Sequence, residues 1–128
     1  MTASFTLFRL RSGTTICGYM KIHANGSIDY SKDRFWWHGT PIEYDKKDQF
    51  SGQLDRHNRP LFVNDLVAMR TTTATSPKSN CLLLFDTDRN GFILLQIDTN
   101  NMFELFLNDQ PLFHKNELTF IGFSPSDD

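Results

Sequence analysis

Apolar and polar residues alternate with period two along most of the chain, in short runs separated by turn residues, which is the pattern of antiparallel strands. Ser4 to Arg11 predicts a first strand, Ser12-Gly13-Thr14 turns it, and Thr15 to Ala24 predicts a second. Asn25-Gly26 predicts a two-residue type I′ turn, because both residues tolerate positive φ, with Ser27 to Ser31 returning antiparallel. That turn sets a register: Ala24 opposite Ser27, His23 opposite Ile28, Ile22 opposite Asp29 and Lys21 opposite Tyr30. Tyr19, Lys21 and His23 then share a face with Ile28 and Tyr30, and Met20 and Ile22 take the other.

Further along, the alternation loosens into Phe35-Trp36-Trp37-His38-Gly39-Thr40-Pro41, then Ile42 to Tyr44 and the polar stretch Asp45 to Asp48. Three consecutive aromatics cannot all face one side of a strand, so at least one is expected to point away from the main core. Gln49 to Arg70 holds a turn followed by a strand. Thr71 to Asn80 is polar, without apolar periodicity, and predicts a long mobile loop. Cys81 to Phe85 and Phe92 to Ile97 predict a hairpin around Asp86 to Gly91. Met102 to Leu107 fits a strand or a short helix, broken by Asn108-Asp109-Gln110-Pro111. Leu118 to Phe123 predicts the last strand, and 124–128 a frayed acidic tail.

Composition agrees with this β pattern. Only 4 Ala and 3 Glu are present, against 38 residues of Phe, Tyr, Trp, Ile, Val and Thr together, a balance that favours sheet over helix. The 128 residues predict one domain, 1–128. No apolar run approaches the roughly 18 residues that cross a bilayer, and the start has no signal-peptide pattern, so a soluble cytoplasmic protein without membrane contact is expected. Exposed sheet edges allow homo-oligomers.

Candidate chemistry is sparse. Asp86-Thr87-Asp88-Arg89-Asn90-Gly91 reproduces the first half of a calcium loop, but position 12 is Ile97 and the flanks read as strands, so a capped hairpin turn is the simpler reading. His23, His38, His57 and His114 lack metal-ligand spacing, and Cys17 and Cys81 form no metal pair. Neither a nucleophile elbow nor a glycine-rich phosphate loop occurs. A protein without cofactor, metal or catalytic residues is therefore expected.

The formal charge of −2, from 13 Lys and Arg against 15 Asp and Glu, argues against strong nonspecific attraction to phosphate backbones. Arg9, Arg11 and Lys21 nevertheless fall in the first two strands, and Phe35, Trp36 and Trp37 offer stacking surfaces. These six residues are the candidate partner-binding set, for a protein in the first reading and for single-stranded nucleic acid in the alternative.

At Phe50 to Val67 the chain reads Phe-Ser-Gly-Gln-Leu-Asp-Arg-His-Asn-Arg-Pro-Leu-Phe-Val-Asn-Asp-Leu-Val. This resembles the signature of the YopX-like family of phage and prophage proteins, which runs from an aromatic through Thr-Gly-Leu-x-Asp-Lys-Asn-Gly-x-Glu-Ile-Tyr-Glu-Gly-Asp-Ile-Val. Gly52, Asp55 and Asp65 match it, and the family's two later glycines fall on Asn58 and Asn64, the residue type that best tolerates the left-handed region. Pro60 and Val63 depart from the family's glutamates. Elsewhere Phe8-Arg9, the hairpin and Phe120-Ile121-Gly122 are similar in order. The resemblance implies a mainly β, antiparallel fold with an N-terminal meander, little helix and an SH3-like, partly open barrel. It also implies a non-enzymatic phage accessory protein that binds a host or antiviral-defence protein in the host cytoplasm. Asp55 and Asn58 are expected to shape a reversal, Asp65 to brace its adjacent turn, and Leu61, Phe62, Leu66 and Val67 to supply core.

Overall fold

The computed structural model describes residues 5–70 and 79–123. The fold is mainly β, with antiparallel sheets, little helix and no closed barrel. Backbone packing divides the chain into two compact units, Met1–Phe50 and Ser51–Asp128.

In the first unit β1 (Phe5–Ser12), β2 (Thr15–His23), β3 (Ile28–Ser31) and the first half of β4 (Lys46–Leu54) lie in the order β3-β2-β1-β4. Strands β1 to β3 form the predicted meander. Their register differs from the predicted one. Met20 faces Tyr30, Lys21 faces Asp29 and Ile22 faces Ile28, one residue away from the expectation. Only Gly26 has positive φ in the turn, at 90°, so Asn25 does not adopt the type I′ conformation. The Gly26 N–H donates to the His23 carbonyl and the His23 N–H to the Ser27 carbonyl. A three-residue loop with glycine in the left-handed position results. The reason is facial matching: this register puts Met20, Ile22, Ile28 and Tyr30 together and sets Lys21 against Asp29, whereas the predicted one mixes apolar and charged partners.

Strand β4 begins at Lys46, inside the stretch expected to be merely polar, because Arg9 pairs with Asp48 and Arg11 with Lys46 in the ladder. Residues 32–45 therefore connect one edge of this sheet to the other. Gly18 lies under that connection. A Cβ built on it would sit 2.8 Å from both Ile42 Cδ1 and the Ser31 carbonyl oxygen, so glycine is what permits the close approach.

In the second unit β4 runs on to Leu54 beside β5 (Pro60–Phe62). Strand β6 (Asp65–Met69) follows the Val63-Asn64 turn, so two short strands stand where one was expected. Strands β6, β7 (Ser79–Asp86), β8 (Gly91–Gln96), β9 (Met102–Glu104) and β12 (Leu118–Phe123) make a sheet ordered β12-β6-β7-β8-β9. Ser79 and Asn80 belong to β7, paired with Met69 and Ala68, and not to the predicted loop; 71–78 and the tail 124–128 lie outside the described residues. The pairs Val67–Cys81, Leu83–Leu94 and Met69–Leu118 align one face, which with Leu61 and Leu105 forms the buried core. Leu61, Phe62 and Val67 are buried as expected, whereas Leu66 is only half-buried.

The alternative of a helix over Met102 to Leu107 is not realised. That segment forms β9 and β10 (Phe106–Leu107), and β10 pairs with β11 (Gln110–Pro111). The turn between them, Asn108-Asp109, has φ of 52° and 64°, positive at both positions as a two-residue type I′ hairpin turn requires. The described residues contain one turn of 3-10 helix, Lys115–Glu117, capped by His114.

Candidate binding surface

The aromatic segment after β3 is held by its own polar residues. The Ser31 Oγ accepts the N–H groups of Asp33 (3.2 Å) and Arg34 (2.8 Å) and donates to Asp33 Oδ1. Asp33 Oδ1 in turn accepts the N–H groups of Phe35 (2.8 Å) and Trp36 (3.0 Å). Those two backbone donors, Trp36 first, hold the Asp33 carboxyl below its ordinary 3.8. Arg34 sits at φ 74°, and Trp37 Nε1 donates to the Arg34 carbonyl at 2.9 Å. With the backbone tied this way, Phe35 and Trp36 stand in solvent, 84% and 74% exposed. Two of the three aromatics therefore point away from the core. Trp37 turns inward and is half-buried.

Trp37 meets the one basic residue of the candidate set that lies beside it. Lys21 Nζ is 4.2 Å from the Trp37 ring centre and 4.7 Å from that of Phe5. On the same sheet face, Phe5 packs edge-on against His23, His23 Nε2 lies 2.9 Å from Asp29 Oδ2, and the Arg34 guanidinium stands 5.5 Å from the Tyr19 ring. The result is a stripe in which cations cover aromatic faces, an arrangement that orders both partners.

Arg9 and Arg11 do not join this surface. They are 2% and 3% exposed. Both close on Asp48: Arg9 through Nε (3.0 Å) and Nη2 (2.8 Å), Arg11 through Nε (2.8 Å) and Nη2 (3.0 Å). Their place in a partner-binding set is corrected accordingly. Alternation along β1 places both on one face, but nothing in their spacing reveals that Asp48, 37 residues beyond Arg11, will pair with both of them there. The sequence signal for the brace is the Ser31-x-Asp33 pair, since side chains of this kind cap nearby N–H groups.

The residues of the Phe50 to Val67 segment act as shaping elements. Gly52, Asn58 and Asn64 all have positive φ, at 88°, 63° and 77°. Asp55 accepts the N–H groups of His57, Arg59 and, far away in the chain, Phe120. Burial alone raises its pKa, but the N–H groups of Phe120, Arg59 and His57 outweigh it and hold the carboxyl low. Asp65 Oδ2 accepts the Phe62 N–H at 2.7 Å and so braces the β5–β6 turn.

In the β7–β8 turn Asp86 Oδ1 accepts the Asp88 N–H, and Asp86 Oδ2 lies 3.4 Å from Arg89 Nε. Among the described residues no three His, Cys, Asp or Glu side chains converge as metal ligands. A groove of about 530 Å³ opens beside this turn, lined by Phe85, Phe92 and Phe106 together with Arg89 and Glu104. Cys81 is buried in the core and its thiol is pushed up to about 11, chiefly by that burial. Among the described residues no helix is long and apolar enough to cross a membrane.

No family model, curated protein or solved structure matches the chain.

Proposed function

We propose that this is a non-enzymatic binding protein that grips a partner protein through Phe35 and Trp36. The observation that carries the reading is the Ser31–Asp33 brace. An unbraced loop would fold such rings against its own surface; here five hydrogen bonds within six residues hold the segment so that both stay in solvent. Ordering the loop in advance lowers the entropy lost on association, and aromatic anchors of this kind dominate interface energetics. The resemblance of Phe50 to Val67 to a phage and prophage family supports a host or antiviral-defence factor as that partner, met in the host cytoplasm.

Affinity capture from lysate of the infected host tests the reading, comparing the wild-type chain with Phe35→Ala/Trp36→Ala. Proteins retained by the wild type and lost by the double variant are expected. Identical retention by both, or none by either, overturns it.

A second reading, binding of single-stranded nucleic acid, draws on the cation-covered aromatic stripe and on the first unit's seven Lys and Arg against five Asp and Glu. Burial of Arg9 and Arg11 weakens it. Salt-sensitive mobility shifts with single-stranded oligonucleotides are its expected outcome, and a flat titration at low salt removes it.

A further inference from the structure

The second unit is acidic, with ten Asp and Glu against six Lys and Arg across Ser51–Asp128. In such surroundings a basic side chain readily finds a partner, and among the described residues most do. Arg59 stacks 4.5 Å from the Phe120 ring centre, Arg89 pairs with Asp86, and Lys115 Nζ donates to Asn58 Oδ1. The guanidinium groups of Arg56 and Arg70 have no such partner among the described residues. Both line one pocket of about 160 Å³, together with His57, Ala68, Asn116, Glu117 and Thr119.

Their convergence is built by the fold. The Arg56 N–H donates to the Leu118 carbonyl at 2.9 Å and the Arg70 N–H to the Glu117 carbonyl at 2.8 Å. The carbonyls of Glu117, the last residue of the 3-10 turn, and of Leu118, the first of β12, thus fix the backbone at both arginines. Buried Asp55, 1% exposed, fixes the turn that carries Arg56 and His57. The Glu117 carboxylate on the pocket wall is already engaged by the His114 N–H at 2.8 Å. The buried floor residue, Ala68, is small and leaves the space above it open.

We propose that this pocket binds a phosphoryl group. Two forked guanidinium groups offer paired N–H donors that match the oxygens of a tetrahedral oxyanion, and a carboxylate would engage only one of them in this way. The His57 imidazole, the Asn116 amide and the Thr119 hydroxyl line the same space and add donors. The Glu117 carboxylate, already accepting the His114 N–H, has a further oxygen lone pair for a hydroxyl or amine carried by the ligand. The guanidinium groups are open to water, so binding weakens with added salt.

The test is a titration of the full chain followed by the Arg Nε–Hε nuclear magnetic resonance signals. Inorganic phosphate, phosphoserine and a nucleoside 5′-monophosphate form the three arms, each against chloride at matched ionic strength. Saturable shifts at Arg56 and Arg70 are expected in all arms, and the order of the three affinities identifies the source. Arg56→Gln and Arg70→Gln are each expected to weaken binding about tenfold or more, since each removes charged hydrogen bonds. Arg59→Gln, outside the pocket, and Phe35→Ala/Trp36→Ala leave it unchanged. Both arginines are exposed, so the glutamine variants keep the fold, which a thermal melt verifies. Shifts that rise linearly without saturation, that chloride reproduces, or that survive Arg70→Gln overturn the proposal.

Discussion

The Asp55 carboxylate accepts the Phe120 N–H at 3.0 Å across 65 residues of sequence, while the same side chain closes its own turn on His57 and Arg59. One buried side chain thereby joins a local reversal to the last strand. Asp55→Ala leaves those N–H groups without their acceptor, two in the turn and one on β12. A loss of about 2–4 kcal/mol is expected, read from urea unfolding midpoints.

Acid sensitivity follows from the two lowered carboxyls. Asp33 and Asp55 each sit below the ordinary 3.8, so the folded state prefers their charged forms more than the unfolded chain does. Their contribution is fully present above the unfolded pKa and is lost as pH falls through the lower folded values. Stability measured between about pH 5 and pH 2 should decline with acidification, and Asp55→Asn should flatten that decline. An unchanged slope in the variant contradicts the assignment.

At Gly18, an alanine methyl group would meet both the Ile42 side chain and the Ser31 backbone oxygen. The side chain can yield and the carbonyl cannot. Gly18→Ala is expected to cost about 1–3 kcal/mol, and adding Ile42→Ala should fail to restore the melting temperature.

Asp48 accepts hydrogen bonds from two buried guanidinium groups at once. Removing it strands charge in the interior, so Asp48→Ala should lose about 3–5 kcal/mol, whereas replacing all three partners by apolar residues of similar volume should lose less. Chemical denaturation of the single and triple variants makes the comparison.

Thiol labelling separates the two cysteines. Cys81 is fully buried with its thiol pushed up to about 11, while Cys17 is partly accessible. One equivalent of a thiol reagent should react quickly with the native protein near pH 8, at Cys17, and the second only on unfolding. Rapid reaction of both thiols would contradict the buried position of β7.

Much of the architecture was legible in the chain itself, because alternation and turn chemistry are local. The first two strands, the hairpin at Asp86 to Gly91 and the closing strand Leu118–Phe123 all follow from residues within a few positions of one another. So does the outward turn of the aromatics, since three in a row cannot share a face. What tertiary structure decided was everything that depends on which distant group arrives. Asn25-Gly26 is compatible with two turns, and burial of Met20 beside Tyr30 selected the longer one. Arg9 and Arg11 read as surface cations until Asp48 crossed to them on β4, because a charge is buried only where a partner compensates it. Arg56 and Arg70 likewise lie fourteen positions apart in the chain, and the carbonyls of Glu117 and Leu118, where the 3-10 turn meets β12, hold the backbone at both beside one pocket.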